Sequence, residues 1–157
     1  MLSIVDGLVF DGVRSEPVER PVHMEGGRVA ALEGRPPEGA RVVDAGGRLV
    51  TPGLIDAHFH AYTVSLDLPE MEALPMSYVA SKAARRLEAA LRRGFTTVRD
   101  VAGGDIGLRM AFDQGLIDGP RDLYTGPGLT RTGGHADPRP GHLAIEVLGH
   151  HGGEAIS

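Results

Sequence analysis

Two histidines separated by one residue, His58 and His60, are the side chains whose type and spacing most directly suggest chemistry in this sequence. They close a short, largely apolar segment that begins at Leu54 and is typical of a β-strand. Because side chains two apart on a strand point to the same face, both imidazoles can converge on one point. Imidazole is a frequent ligand of transition metals. The pair predicts a metal site; the alternative is two polar residues at the exposed end of a strand.

The elements that must position these histidines follow from the pattern beyond Gly53. Apolar, β-branched segments predict strands over 54–60, Phe95–Arg99 and Arg121–Gly126. Helical patterns separate them, at Met76–Arg93 and Asp105–Gly115, and an irregular stretch precedes the first helix. This alternation is typical of parallel βαβ units with buried strands, in which sites form at the carboxyl ends of the strands.

The two predicted helices each carry an apolar stripe. In the first helix the predicted buried stripe consists of Ala80, Ala84, Leu87 and Leu91. Lys82 and several arginines occupy its other side, and Gly94 follows as the expected end of the helix. In the second helix the predicted apolar positions are Ile106, Met110 and Phe112.

Residues 1–52 show a different pattern, with short apolar segments separated by glycine turns. Val22–Met24 and Arg28–Leu32 flank a Gly-Gly pair and predict a hairpin. The pattern repeats with Arg41–Asp44 and Arg48–Thr51 on either side of a second Gly-Gly pair. A small β-sandwich or meander is therefore expected, ending where Pro52 interrupts it.

Composition excludes several classes of function. The formal net charge of −5 is unlike the clustered positive surface that nucleic-acid binding requires. The sequence has no cysteine, which excludes disulfides, thiolate zinc sites and cysteine nucleophiles. No apolar run approaches the ~20 residues of a membrane helix. Since no basic leader precedes the apolar stretch Met1–Phe10, we expect a cytoplasmic protein without a signal peptide.

Several ordered segments resemble one protein family. Val42–Gly47, followed by Pro52–His60, is similar to the entry of the amidohydrolase superfamily. Gly94–Asp100 resembles the second barrel strand of that superfamily. Gly119–Arg121, with Thr130–Asp137, is similar to the branch that contains imidazolonepropionase-like and prolidase-like enzymes. The resemblance extends over nearly the whole chain to about residue 142.

The resemblance implies an α/β fold class with two parts. Residues 1–52 would form the small N-terminal β domain, and residues 53–157 would begin a (β/α)8 barrel that binds one or two divalent metals, with zinc expected. His58 and His60 would be the metal ligands of the first strand. The resemblance also suggests that His135 contacts substrate; an exposed loop histidine is the alternative for that residue.

The same resemblance implies that the barrel is incomplete. Only 105 residues follow Pro52, whereas a (β/α)8 barrel takes roughly 250. The family's later ligands, a lysine on the fourth strand, histidines on the fifth and sixth and an aspartate on the eighth, have no matching positions here. Lys82 is expected on the solvated side of its helix. We therefore expect the N-terminal portion of an amidohydrolase, the first three βα units of the barrel.

Other polar residues allow weaker interpretations. Arg99 and Asp100 end the second strand, where the pair could orient a site or form a plain salt bridge. His142, His150 and His151 have no recognisable surroundings and suggest at most an adventitious metal site.

Two functions remain open on the sequence. The first is the N-terminal part of a metal-dependent hydrolase of C–N bonds, acting on cyclic amides or dipeptide-like small molecules through metal-activated water. The second is a truncated, inactive chain that acts at most as a weak metal-binding or interaction module. In either case we expect self-association or a missing C-terminal half.

Overall fold

The structure, a computed structural model, describes residues 1–131, 134 and 154–156. The chain divides into two compact units, Met1–Pro52 and Gly53–Ser157. Within the described residues, no helix is both long and apolar enough to span a membrane.

The first unit is built from short β-strands in two sheets. Its strands are β1 (Leu2–Val5), β2 (Leu8–Val9), β3 (Val18–Glu19), β4 (Val22–Glu25), β5 (Arg28–Ala31), β6 (Arg41–Asp44) and β7 (Leu49–Val50). One sheet has the order β5-β4-β1-β6 and the other the order β3-β2-β7. The predicted hairpin of β4 and β5 is confirmed, since these strands pair antiparallel.

The second predicted pairing of this unit is wrong. β6 and β7 do not pair with each other; β6 runs parallel to β1, and β7 runs parallel to β2. The reason is that the β1–β2 segment and the β6–β7 segment leave the first sheet at the same level. There the Ala45 N–H donates to Val5 O at 2.9 Å, and the Gly47 N–H donates to Asp6 O at 2.7 Å. Asp6 and Gly47 both have positive φ, so both segments bend at this point and pass from the first sheet to the second.

The second unit contains the predicted parallel βαβ arrangement. Its elements are β8 (Leu54–Phe59), α1 (Leu68–Ala73), α2 (Met76–Arg92), β9 (Phe95–Asp100), α3 (Ile106–Asp113), β10 (Arg121–Tyr124), β11 (Leu129–Arg131) and β12 (Glu154–Ile156). The main sheet has the order β10-β9-β8, and both pairings are parallel, which confirms the α/β class. β11 and β12 form a separate parallel pair.

Helix α1 lies where the sequence predicted an irregular stretch. The Asp67 side chain accepts a hydrogen bond from the Glu70 N–H at 3.0 Å, and a proline follows in the first turn. Both features are ordinary helix-start signals. The helix has only six residues, which is too short for an apolar periodicity to be recognised in the sequence.

Helix α2 buries a face rotated from the predicted one. Its buried residues are Val79, Ala83, Leu87 and Ala90, so only Leu87 belongs to the predicted stripe. Arg86 lies beside this buried face: its guanidinium donates to Thr63 O and lies 6.0 Å from the Phe59 ring centroid. A long arginine can cover apolar surface while its head stays solvated, so the exposed Arg86 is compatible with a position at the edge of the buried face.

The core of this unit lies between α2, α3 and β9. Val98 is fully buried there beside Leu87, together with Leu108 of α3. The predicted apolar face of α3 is wrong in two positions, since Ile106 and Met110 are exposed. Residues 106 and 110 occupy one side of so short a helix and 108 and 112 the other, so the pattern alone could not select the buried side.

Candidate metal centre

The two candidate ligands lie at the carboxyl end of β8, where their rings meet. The Nε2 atoms of His58 and His60 are 3.2 Å apart. Their ring centroids are 5.0 Å apart and the ring planes are inclined by 74°. The convergence expected from the spacing of the two histidines is therefore present in the folded chain.

The backbone beneath the histidines is not a plain strand. Asp56 lies opposite Val98 and Phe59 lies opposite Asp100, so β8 has two residues where β9 has one. This is a β-bulge at Ala57 and His58, a device that redirects side chains and is frequent beside active sites. The sequence predicted simple alternation and gave no sign of it.

Side chains hold the bulge on both sides of one peptide unit. Arg99 Nε donates to Ala57 O at 2.8 Å, and the His58 N–H donates to Asp56 Oδ1 at 3.1 Å. Immediately after His60 the chain enters the core, where Ala61 and Tyr62 are buried. The pair of rings is thus carried on a backbone fixed before and after it.

The spacing of the two imidazoles matches that of two ligands on one metal. Nitrogens about 2.0–2.1 Å from a tetrahedral zinc lie about 3.3 Å from each other. The two Nε2 atoms lie at hydrogen-bond distance, 3.2 Å, and this separation also agrees with the spacing of two ligands on one metal. Among the residues that the structure describes, however, no group of three or more His, Asp, Glu or Cys side chains could hold a metal.

The other sequence-predicted residues have different outcomes. His135 lies outside the described residues, as do His142, His150 and His151. Lys82 is exposed on α2, with its Nζ 4.9 Å from the Tyr78 ring centroid, as expected for a solvated side chain.

Of the two interpretations of Arg99 and Asp100, the salt bridge between them is wrong. Arg99 reaches across to β8, whereas Asp100 is fully buried on the face of Val98. No ion pair within the described part of the chain joins the two residues. Successive residues on a strand point to opposite faces, so adjacency in sequence prevents the contact rather than favouring it.

Two buried carboxylic acids are the polar residues that sequence reasoning missed or undervalued. Asp100 and Asp122 have exposed fractions of 0% and 1%. Burial, and then the nearby Asp122, raise the pKa of Asp100 to about 6, against the lowering effect of the Ala61 and Ala102 N–H groups and Arg86. Burial also raises the pKa of Asp122, while Arg109 opposes the rise.

These carboxyl groups belong to the helix side of the sheet. Asp100 shares a face of the sheet with Val98, which is two residues before it, and with Phe59, which lies opposite it on β8. Val98 and Phe59 both pack in the core. The phenol of Tyr62 lies in the same region, where burial and then Asp105 raise its pKa. Asp122 directly follows the Gly119–Arg121 segment, but it lies within a very short strand whose sequence did not distinguish it from a surface aspartate.

Neither histidine lines the groove that this unit forms beside α2, although Phe59 between them does. It has a volume of about 830 Å³ and runs between the basic side of α2 and the segment after β8. Lys82, Arg85 and Arg93 line it, whereas neither His58 nor His60 does. The candidate metal centre therefore rests on the ring geometry and not on a cavity.

Comparisons with known proteins agree with this fold. The sequence profile described as Amidohydrolase family matches residues 49–149, which is more than half of the chain. The chain belongs to the amidohydrolase family.

Individual relatives match a part of their own length. A dihydroorotase from Pelotomaculum thermopropionicum is 38% identical over 98 residues, which are 62% of this chain and 20% of that protein. An ochratoxinase from Aspergillus niger is 33% identical over 115 residues, 66% of this chain and 22% of that protein. The chain thus spans about a fifth of the length of these two relatives.

A solved structure shows the same relation. The crystal structure of a prolidase complexed with N-methylphosphonate-L-proline superposes with a TM-score of 0.86 at 35% identity. The match covers 94% of this chain and 37% of the prolidase chain. Nearly all of this chain therefore corresponds to little more than a third of that structure.

Proposed function

We propose that this chain supplies the first-strand part of the metal site of an amidohydrolase that hydrolyses C–N bonds, with His58 and His60 as ligands of a divalent metal, zinc being the expected one. The observation that carries the proposal is the 3.2 Å separation of their Nε2 atoms. Membership of the amidohydrolase family supports it. In this proposal Met1–Pro52 is the small β domain and Gly53–Ser157 begins the (β/α)8 barrel.

The substrates proposed are small molecules of the cyclic amide or dipeptide-like class. The similarity to a prolidase that holds N-methylphosphonate-L-proline supports this class. His135 is assigned a substrate contact on the family resemblance alone.

The chemistry divides between the metal and the protein. A bound divalent metal polarises a carbonyl group and lowers the pKa of water. His58 and His60 would hold it through the Nε2 lone pairs of neutral imidazoles, which leaves the Nδ1 atoms as hydrogen-bond donors. Asp100 is not assigned the role of base, because its carboxyl group lies on the helix side of the sheet with Val98.

A zinc titration with matched histidine variants tests the metal site. We expect weak binding by the chain, because zinc sites normally use at least three protein ligands. His58→Ala and His60→Ala should each weaken it, and the double variant should abolish it. The comparison variant His150→Ala with His151→Ala removes the adjacent histidine pair, so any binding that it loses measures an adventitious site separate from His58 and His60.

Two results would contradict this site. Loss of binding in the comparison variant, with retention in the His58/His60 double variant, would place the metal elsewhere. Stoichiometric zinc that survives a chelator wash would be too tight for two histidine ligands.

The alternative function is an inactive, weak metal-binding or interaction module. It is favoured by the absence of a three-ligand group among the described residues. To separate the two, the chain with zinc is assayed on dipeptides and cyclic amides, alone and mixed with a polypeptide carrying strands four to eight of a close relative. We expect turnover only in the mixture, and its loss in His58→Ala. No turnover in the mixture would support the inactive module, and turnover by the chain alone would show a compact enzyme.

A further inference from the structure

The peptide unit between Ala57 and His58 is held by side chains at both of its polar atoms. Its carbonyl oxygen accepts from Arg99 Nε at 2.8 Å, and its N–H donates to Asp56 Oδ1 at 3.1 Å. One clamping residue immediately precedes this peptide, and the other comes from the neighbouring strand β9. We propose that Asp56 and Arg99 are positioning residues that clamp this peptide and thereby aim the His58 imidazole at the point shared with His60.

The bulge explains why a clamp is needed. The register of β8 against β9 passes from Asp56 to Phe59, so Ala57 and His58 together face the single residue Arg99 and have no regular ladder partner. Backbone N–H and C=O groups that leave a ladder require other partners. Here the partners are side chains, and they fix the peptide from which His58 extends.

The charges of the two clamping residues suit their positions. The cationic guanidinium lies at the negative end of the peptide dipole, and the carboxylate lies at the positive end. Hydrogen bonds with an ionised partner are shorter and stronger than neutral ones. Arg99 also links β9 to the bulge of β8, so the direction of the His58 ring is set from outside its own strand.

This inference rests on the proposed function, because the orientation of the His58 ring matters only if His58 is a metal ligand. Its first test needs no metal. Amide hydrogen exchange of His58, followed by NMR on the 157-residue chain, reports the hydrogen bond to Asp56. We expect exchange to rise at least about 10-fold in Asp56→Ala and to stay near the wild-type rate in Asp56→Asn, which keeps the acceptor oxygen.

The second test is Co²⁺ binding, followed by visible absorption. Partners that orient a metal ligand commonly contribute 10- to 100-fold in affinity, and we expect a loss of about this size in Arg99→Met and in Asp56→Ala. Arg99→Lys, which keeps a cationic donor, should recover part of it. Arg121→Met removes an exposed arginine from the adjacent strand β10 and should leave binding unchanged.

The sign of the Arg99→Met effect separates the clamp from simple electrostatics. Removing a positive charge near a cation site strengthens cation binding by Coulomb's law, whereas loss of the clamp weakens it. Tighter Co²⁺ binding in Arg99→Met, or equal losses in Asp56→Asn and Asp56→Ala, would overturn the clamp.

Failure of the proposed function gives a different result. If the wild-type chain binds no Co²⁺ or Zn²⁺, the metal site fails. The clamp is then judged by the exchange of the His58 amide, and unchanged exchange in Asp56→Ala would overturn it as well.

Discussion

Asp100 is a carboxylic acid enclosed between the main sheet and its helices. Its pKa is about 6 in the folded chain, against an ordinary value of 3.8, because burial and the neighbouring Asp122 penalise the ionised form. Between about pH 4 and pH 6 the folded state therefore holds a proton that the unfolded state has lost. Stability must fall as pH rises through this window, and by linkage the loss is about 3 kcal/mol.

The substitution Asp100→Asn should remove this pH dependence. The amide keeps the size of the side chain and an acceptor oxygen but cannot ionise. We expect urea denaturation at pH 4 and pH 8 to show a smaller loss of unfolding free energy in the variant than in the wild-type chain. If both proteins lose the same stability between these pH values, Asp100 is ionised in the folded chain at its ordinary pKa.

At the scale of the helix, α2 places Leu87 and Leu91 in different surroundings. Leu87 is fully buried against the core, whereas Leu91 is only half-buried, although both belong to the stripe expected from the sequence. Leu87→Ala should therefore lower the unfolding free energy by about 2–5 kcal/mol, the usual range for a core leucine. Leu91→Ala should lower it by about 1 kcal/mol. Thermal or urea denaturation measures both, and equal losses would show that the helix is not rotated as described.

At the start of β8, Gly53 lies against β9 with no room for a side chain. A Cβ atom there would be 2.6 Å from Thr96 Cβ and 2.0 Å from Thr96 Oγ1. The Cβ of Thr96 cannot move without moving its strand, so Gly53→Ala must displace β8 or β9. We expect a loss of about 1–3 kcal/mol in urea denaturation, the usual cost of overpacking.

A second substitution tests the cause of that loss. Thr96→Gly removes the obstructing atoms, so Gly53→Ala should cost less in a Thr96→Gly background than in the wild-type chain. Equal costs in the two backgrounds would mean that Thr96 is not the obstacle.

For the molecule as a whole, the main sheet ends at β8 and β10, each with one neighbouring strand among the residues that the structure describes. Ile55 on β8 is 68% exposed and Leu123 on β10 is 48% exposed. Strand edges with free backbone groups and apolar side chains favour pairing with another chain. We expect the 157-residue chain to self-associate as its concentration rises, as measured by light scattering.

A charge on an edge strand should reduce this association. Ile55→Lys should shift it to higher concentration, because a lysine on an edge opposes strand pairing. Val13→Lys is the matched control: Val13 is 90% exposed in the first unit and lies outside any strand. A sharp monomer peak at high concentration, or equal effects of the two variants, would contradict association through these edges.

What the sequence determined by itself was mainly local. The spacing of His58 and His60, the strand-helix alternation and the hairpin of β4 and β5 depend on neighbours a few residues away, and the structure contains all three. Their physical origin is the backbone itself, since a period of two or of 3.6 residues is set by local dihedral angles.

Tertiary structure decided the features that depend on partners distant in sequence. The bulge at His58 exists only in register with β9, and β6 and β7 separate because β1 and β2 break at the same level. The core cluster of Val98 and Leu108 selected the buried face of α2, and Asp122 became buried through the elements that cover it. A residue's own identity does not contain the position of such partners, because burial and pairing free energies belong to contacts between segments.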